Sequence, residues 1–159
     1  MLILTKKYIT KGYRGDFTGA NDTMQYEAGD VELIEITQLK AHEEVHQKKV
    51  IELFEMTLRW GGYTKPLLID GKTGTILDGH HRFEVAKKLK LKLIPAIVTN
   101  YFDDDRITVT TWPNSDLEHI EKKDVIEMAL SGKLFPPKTS RHSLSEYLPP
   151  IMIKLENLK

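Results

Sequence analysis

The sequence predicts an α/β or α+β domain with a small mixed β-sheet flanked by helices, and three observations carry that expectation. Short apolar runs of strand length alternate with stretches of helical period, and Gly, Pro or Asp punctuates the joins. A chain of 159 residues is long enough to bury one core without covalent staples. The charge balance, 23 Lys plus Arg against 23 Asp plus Glu, adds a bound on function. Phosphate-coating proteins draw on a surplus of cations, so a dedicated nucleic-acid binder is disfavoured.

The elements follow in order. Residues 1–30 show no sustained period and read as an arm or loop, leaving residues 31–159 as one domain. The opening Met1-Leu2-Ile3-Leu4 is too short for a signal-peptide core, and no later apolar run has membrane-spanning length, so a cytoplasmic protein is expected. Residues 31–39 approach the alternation of a half-buried strand. Residues 46–60 place Val50, Ile51, Phe54 and Leu58 on one helical face, and Gly61-Gly62 supplies a left-handed stop. Residues 66–69 and 75–77 read as strands joined by a turn with two glycines.

Directly after the second of these strands comes Asp78-Gly79-His80-His81-Arg82, which opens an amphipathic helix to about residue 90. Residues 95–99 and 107–112 are further strand candidates. Ser115 with Glu118 has the form of a capping box, predicting a mostly helical stretch to Leu130 that closes at Gly132. Ile151, Ile153 and Leu155 alternate as a last strand.

Zero cysteines exclude thiol catalysis and Cys-based zinc sites and fit a reducing interior. The remaining chemistry concentrates at a few places. A strand that runs through Asp78-Gly79 into a helix makes an anion site, because first-turn amides lack partners and glycine lets a phosphate approach. Arg82 adds a guanidinium fork and His80 or His81 a donor. Asp78 reads either as a simple helix cap or as a carboxylate that holds hydrated Mg²⁺ beside phosphates. Glu43, between the 31–39 strand and the next helix, reads either as a helix-start charge or as a catalytic group. Lys138-Thr139-Ser140-Arg141-His142, behind two prolines, offers cations, hydroxyls and free amides in a loop, or is merely solvated. Trp112 by itself reads as core, and the Asp103-Asp104-Asp105 run as a solvated turn.

Taken in order, Lys40-Ala41-His42-Glu43, Lys65-Pro66-Leu67-Leu68 and Asp78-Gly79-His80-His81-Arg82 resemble the domain shared by ParB partition proteins and sulfiredoxin. Tyr101-Phe102-Asp103, Thr110-Thr111-Trp112, and Gly132-Lys133-Leu134-Phe135 followed by Pro137-Lys138-Thr139-Ser140-Arg141-His142 resemble the archaeal free serine kinases more specifically. That resemblance implies phosphoryl transfer from ADP or ATP to the hydroxyl of free L-serine, with Mg²⁺ as cofactor. By position it implies Glu43 as general base and Asp78 as a catalytic aspartate that holds Mg²⁺, directly or through water. It implies Gly79, His80, His81, Arg82 and Lys65 as nucleotide or phosphate ligands, and Trp112, Lys138, Thr139, Ser140, Arg141 and His142 around the serine. Sulfiredoxin chemistry needs a reactive cysteine in that turn, which this chain lacks. The alternative is a ParB-like nucleotide-binding regulatory or DNA-associated module, although few residues follow Trp112 to build a DNA-reading domain.

Overall fold

The structure is a computed structural model that describes residues 5–7 and 30–159. Most of the arm expected over residues 1–30 therefore lies outside the described residues. Its one described piece is a strand, β1 (Thr5–Lys7), which pairs antiparallel with β2 (Val31–Glu35). The expected strand over residues 31–39 stops at Glu35 and tightens into a 3-10 turn over Ile36–Gln38. Leu33 and Ile34 are adjacent and both buried, so the alternation had already broken there.

A five-stranded mixed sheet in the order β1-β2-β6-β4-β5 forms the centre, as the sequence predicts. β6 (Leu93–Thr99) runs antiparallel to β2 and parallel to β4 (Leu67–Asp70), and β5 (Ile76–Asp78) folds back antiparallel on β4. Every residue of β4 is buried, as expected of a strand with neighbours on both sides. Pro95 is tolerated in central β6 because the pairing with β4 begins one residue later, at Ala96 opposite Leu67. Leu67, Ile69, Ile76, Ile94 and Ile97 are almost wholly buried and form the middle of the core.

Two helices pack together at this sheet. α1 (Gln47–Trp60) ends at Gly61 with φ 75°, the left-handed stop the glycine pair predicts. Its apolar face is rotated from the expected one: Val50 and Thr57 are buried, whereas Ile51 and Leu58 are 52% and 49% exposed. The helix rests against α2 (His80–Lys88) and β3 (Gly62–Tyr63), and that support covers only the middle of a broad apolar stripe.

The second half of the chain departs further from expectation. The stretch from Ser115 is helical only over α3 (Lys122–Ser131), and the capping box is formed by Glu121 and Asp124. Ser115 instead takes the Leu117 amide with its own hydroxyl, a local turn that competes with helix initiation. α3 does close at Gly132, with φ 77°. The loop expected at residues 138–142 runs into a strand, β8 (Ser140–Leu144), paired antiparallel with β7 (Ile107–Thr111). β9 is shorter than expected, Ile153–Lys154, and pairs with β3.

Candidate active site

Three segments far apart in sequence converge on one cleft of about 290 Å³. The first is the turn between β5 and α2. Gly79 has φ 110°, and a β-carbon there would stand 2.8 Å from the Leu67 side chain and 2.9 Å from the Arg82 guanidinium, so glycine is required for both conformation and space. No side chain caps α2, which leaves its first-turn amides and the positive end of its dipole facing the cleft residues.

The simple helix-cap reading of Asp78 is therefore not realised. Its carboxylate lies 3.4 Å from Arg82 Nη2, one turn on, and is 48% exposed. Arg82 Nη2 also donates to the Pro66 carbonyl at 3.1 Å, and the Tyr63 hydroxyl donates to the Arg82 carbonyl at 2.7 Å. Arg82 Nε and His81 Nε2 are buried without a hydrogen-bond partner among the described residues, two polar atoms beside the uncapped helix start.

The second segment carries Glu43. It is pinned as an extended strip: the Lys40 amide donates to Gly74 O and Ile76 N to Lys40 O, each at 2.9 Å. Further on, Phe135 N donates to His42 O at 2.8 Å and Glu44 N to Phe135 O at 2.9 Å. α1 begins only at Gln47, so Glu43 does not serve as its opening charge. Its Oε1 accepts the Ser140 amide at 2.7 Å, the Ser140 hydroxyl at 2.9 Å and the Thr139 amide at 3.2 Å. Burial raises the Glu43 pKa above its ordinary value, while the bonds from Ser140, Thr139 and the Lys138 backbone pull the other way. The two amide bonds and the hydroxyl bond from Thr139 and Ser140 converge on the single oxygen Oε1.

The third segment is residues 138–142. The free amides expected there are engaged, because Glu43 draws the chain onto itself at Thr139 and Ser140. The Thr139 hydroxyl donates to Pro136 O at 2.7 Å. Trp112 locks the same strip from the other strand, with its indole N–H on Ser140 O at 3.0 Å and its amide on Thr139 O at 3.2 Å. It is not simply core: Lys138 Nζ and the Arg141 guanidinium each stand 4.8 Å from its ring centre, and all three line the cleft.

Behind these segments lies a histidine cluster that sequence reasoning divided among separate motifs. The His42 ring meets His80 edge-on at 4.6 Å and His142 at 5.8 Å. Burial lowers the pKa of His42 to about 4, that of His142 to about 3, and that of His80 well below its ordinary value, so all three are neutral near pH 7. The His42 amide donates to His80 Nε2 at 3.2 Å, which places the proton of the neutral ring on Nδ1. His81 is lowered less, chiefly by burial. His42, almost wholly buried at 1% exposure, was missed as a site residue. Glu44 and Lys49 also line the cleft and were missed, because nothing in the sequence separates them from ordinary surface charges.

Lys65 is the outlier. It is exposed and is not among the residues that line the cleft, where its neighbour Pro66 contributes a carbonyl to Arg82. The acidic turn is a structural device: Asp104 pairs with Arg106 at 2.7 Å. Among the described residues no group of three His, Asp or Glu side chains is disposed to hold a metal ion by itself. No described helix is long and apolar enough to cross a membrane.

The model of the ParB N-terminal domain matches residues 20–115. The chain belongs to that family. It is 36% identical over 87 residues to the ADP-dependent L-serine kinase SerK of Thermococcus kodakarensis, an alignment covering 52% of this chain and 36% of the relative. It is 31% identical over 111 residues to an ATP-dependent L-serine kinase of Staphylothermus marinus, covering 64% of this chain and 44% of that one. The alignments thus span less than half the length of these curated relatives. Among solved structures, a variant of a free serine kinase in complex with AMP shares the fold with a TM-score of 0.73 at 20% identity, over 80% of this chain and 93% of that chain. This member of the ParB N-terminal domain family thus has the mixed α/β fold and the kinase resemblance that its motifs predict.

Proposed function

We propose that the protein is a cytoplasmic free serine kinase that moves a phosphoryl group from ADP or ATP to L-serine, giving O-phospho-L-serine. The observation that carries this reading is the Glu43 carboxylate, oriented by three hydrogen bonds to one oxygen and raised in pKa by burial, in the same cleft as the uncapped start of α2. The ADP- and ATP-dependent serine kinases among its relatives point the same way.

In the proposed reaction the serine hydroxyl oxygen bonds to the terminal phosphorus as the bridging P–O bond to the nucleotide breaks. The hydroxyl proton passes to Glu43 Oε2, and the departing electron pair stays on the nucleotide phosphate. Such transfers depend on position and charge neutralisation more than on covalent help from the protein. Gly79 and the first amides of α2 hold the donor phosphates, with Arg82, His80 and His81 as flanking donors. Trp112, Lys138, Arg141 and His142 surround the amino acid, while Thr139 and Ser140 act on it through Glu43.

A half-exposed carboxylate beside an anion site, with no all-protein cage among the described residues, fits Mg²⁺, which keeps several waters and relies on one or two carboxylates plus phosphates. Asp78 would hold that ion, whose charge would neutralise phosphate oxygens. Phosphorus NMR of the protein with Mg²⁺ and L-serine, run separately with ADP and with ATP, tests the reading. O-phosphoserine with either nucleotide is expected and names the donor. Bound nucleotide without phosphoserine would overturn the kinase reading in favour of the nucleotide-binding regulatory module that the ParB-type domain also supports.

A further inference from the structure

The turn that opens α2 and the strip that carries Glu43 are joined through a side chain. Backbone bonds tie the strip on two sides: Lys40 to the turn at 74–76, and His42 O and Glu44 N to Phe135. The amide of His42 goes elsewhere. It donates to Nε2 of His80, the first residue of α2, at 3.2 Å. A backbone N–H can only donate, so Nε2 presents its lone pair and the proton of the neutral ring is on Nδ1. The two rings also meet edge-on, with centres 4.6 Å apart. His42 is almost wholly buried, and a buried amide without an acceptor is destabilising, so the His80 ring fixes where this backbone sits.

The bond sits where it has leverage on both halves of the cleft. Glu43 follows His42 directly, and Gly79, with the uncapped start of α2, directly precedes His80. We propose that His80 is a positioning residue: by accepting the His42 amide, its ring sets the backbone that presents Glu43 relative to the α2 turn, so that the carboxylate and the donor phosphates keep one fixed spacing. The bond is a property of the free protein; its consequence for phosphoryl transfer rests on the kinase reading. Such a transfer depends on the alignment of the reacting groups, and a misplacement of about 1 Å can cost about 10²-fold in rate.

Nitrogen-15 NMR of the histidine rings in the nucleotide-free protein at pH 7 tests the bond. His80 should be a neutral ring protonated at Nδ1, and protonation at Nε2 overturns the proposal without any variant. Substitutions then separate the two ring nitrogens: His80→Gln places a polar atom near the position of Nε2, His80→Asn near that of Nδ1, and His80→Phe keeps a ring with neither. In the folded Phe and Asn variants, hydrogen exchange of the His42 amide should speed up about tenfold, the scale of one lost hydrogen bond, whereas His80→Gln should keep it slow. Unchanged exchange in the Phe and Asn variants would overturn the link. With the nucleotide that supports phosphoserine formation, His80→Phe and His80→Asn should lose about ten- to a hundredfold in kcat at nearly constant KM for L-serine, and His80→Gln should recover most of that loss. Recovery by His80→Asn but not by His80→Gln would assign the ring to a phosphate contact through Nδ1 and overturn the positioning role. Absence of phosphoserine with both nucleotides from the wild-type protein would remove the kinase reading, and with it the consequence for Glu43. The tautomer and exchange results would still decide the bond between His80 and His42.

Discussion

Glu43 performs two jobs that a pair of substitutions separates. In Glu43→Gln the amide oxygen can replace Oε1 and still accept the Ser140 and Thr139 amides and the Ser140 hydroxyl. The strip at 139–140 then keeps its place, and what is lost is the proton acceptor at the second position. General-base catalysis contributes about 10²- to 10⁴-fold, so turnover should fall by that factor with stability nearly intact. Glu43→Ala removes the acceptor altogether and leaves two backbone amides and one hydroxyl without a partner. An unsatisfied buried group costs about 1–3 kcal/mol. Water entering the cleft would replace part of that loss, so about 2–4 kcal/mol in total is expected. In a protein of this size, 1 kcal/mol shifts the melting temperature by about 2–4 °C. The alanine variant should therefore melt roughly 4–16 °C below wild type, whereas the glutamine variant should stay within about 2 °C of it. Calorimetry gives the first quantity and phosphorus NMR turnover the second. A glutamine variant with near-wild-type turnover would refute the role of Glu43 as base, and an alanine variant as stable as the glutamine one would refute its role as the anchor of residues 139–140.

Two further outcomes follow from the geometry. Gly79→Ala forces φ 110° on a residue with a β-carbon and drives that carbon to 2.8 Å from Leu67 and 2.9 Å from Arg82. A loss of about 2 kcal/mol or more is expected, with weaker ADP binding as Arg82 shifts; calorimetry showing wild-type stability and affinity would refute the tight-turn argument. The histidine cluster makes stability depend on acid. His42, His142 and His80 have folded pKa values below the ordinary 6.5, so the unfolded chain takes up their protons first. Their contribution is complete above about pH 6.5 and is lost as pH falls towards 3. His42 alone, lowered from 6.5 to about 4, accounts for about 3 kcal/mol by pH 4. Glu43, raised by burial, opposes this with the contrary sign. Urea midpoints measured from pH 7 to 4 should fall steadily, and a flat profile would rule out a buried neutral cluster.

The sequence by itself determined the elements whose signals are local. α1 and its Gly61 stop, the β4–β5 hairpin and the start of α2 at Gly79 are set by helical period, turn glycines and the positive φ that only glycine adopts easily. The motifs around Glu43, Asp78-Gly79-His80-His81-Arg82 and residues 138–142 were likewise legible, because polar residues clustered at element boundaries have no packing reason to be there. Tertiary structure decided what each of them touches. Ser140–Leu144 carries a single strong apolar residue, so β8 exists because β7 offers it a ladder and Glu43 an anchor for its first residue. The burial of α1 turned on which part of its apolar stripe α2 could reach, and the capping box moved from Ser115 to Glu121 because Ser115 closed its own turn. His42, His80 and His142 are up to 100 positions apart, and no period or spacing relates them. Their neutrality, like the raised pKa of Glu43, comes from exclusion of water by segments that meet only when the sheet, α2 and the β7–β8 ribbon are assembled. Desolvation is a property of the packed environment, so no linear pattern of residues encodes it.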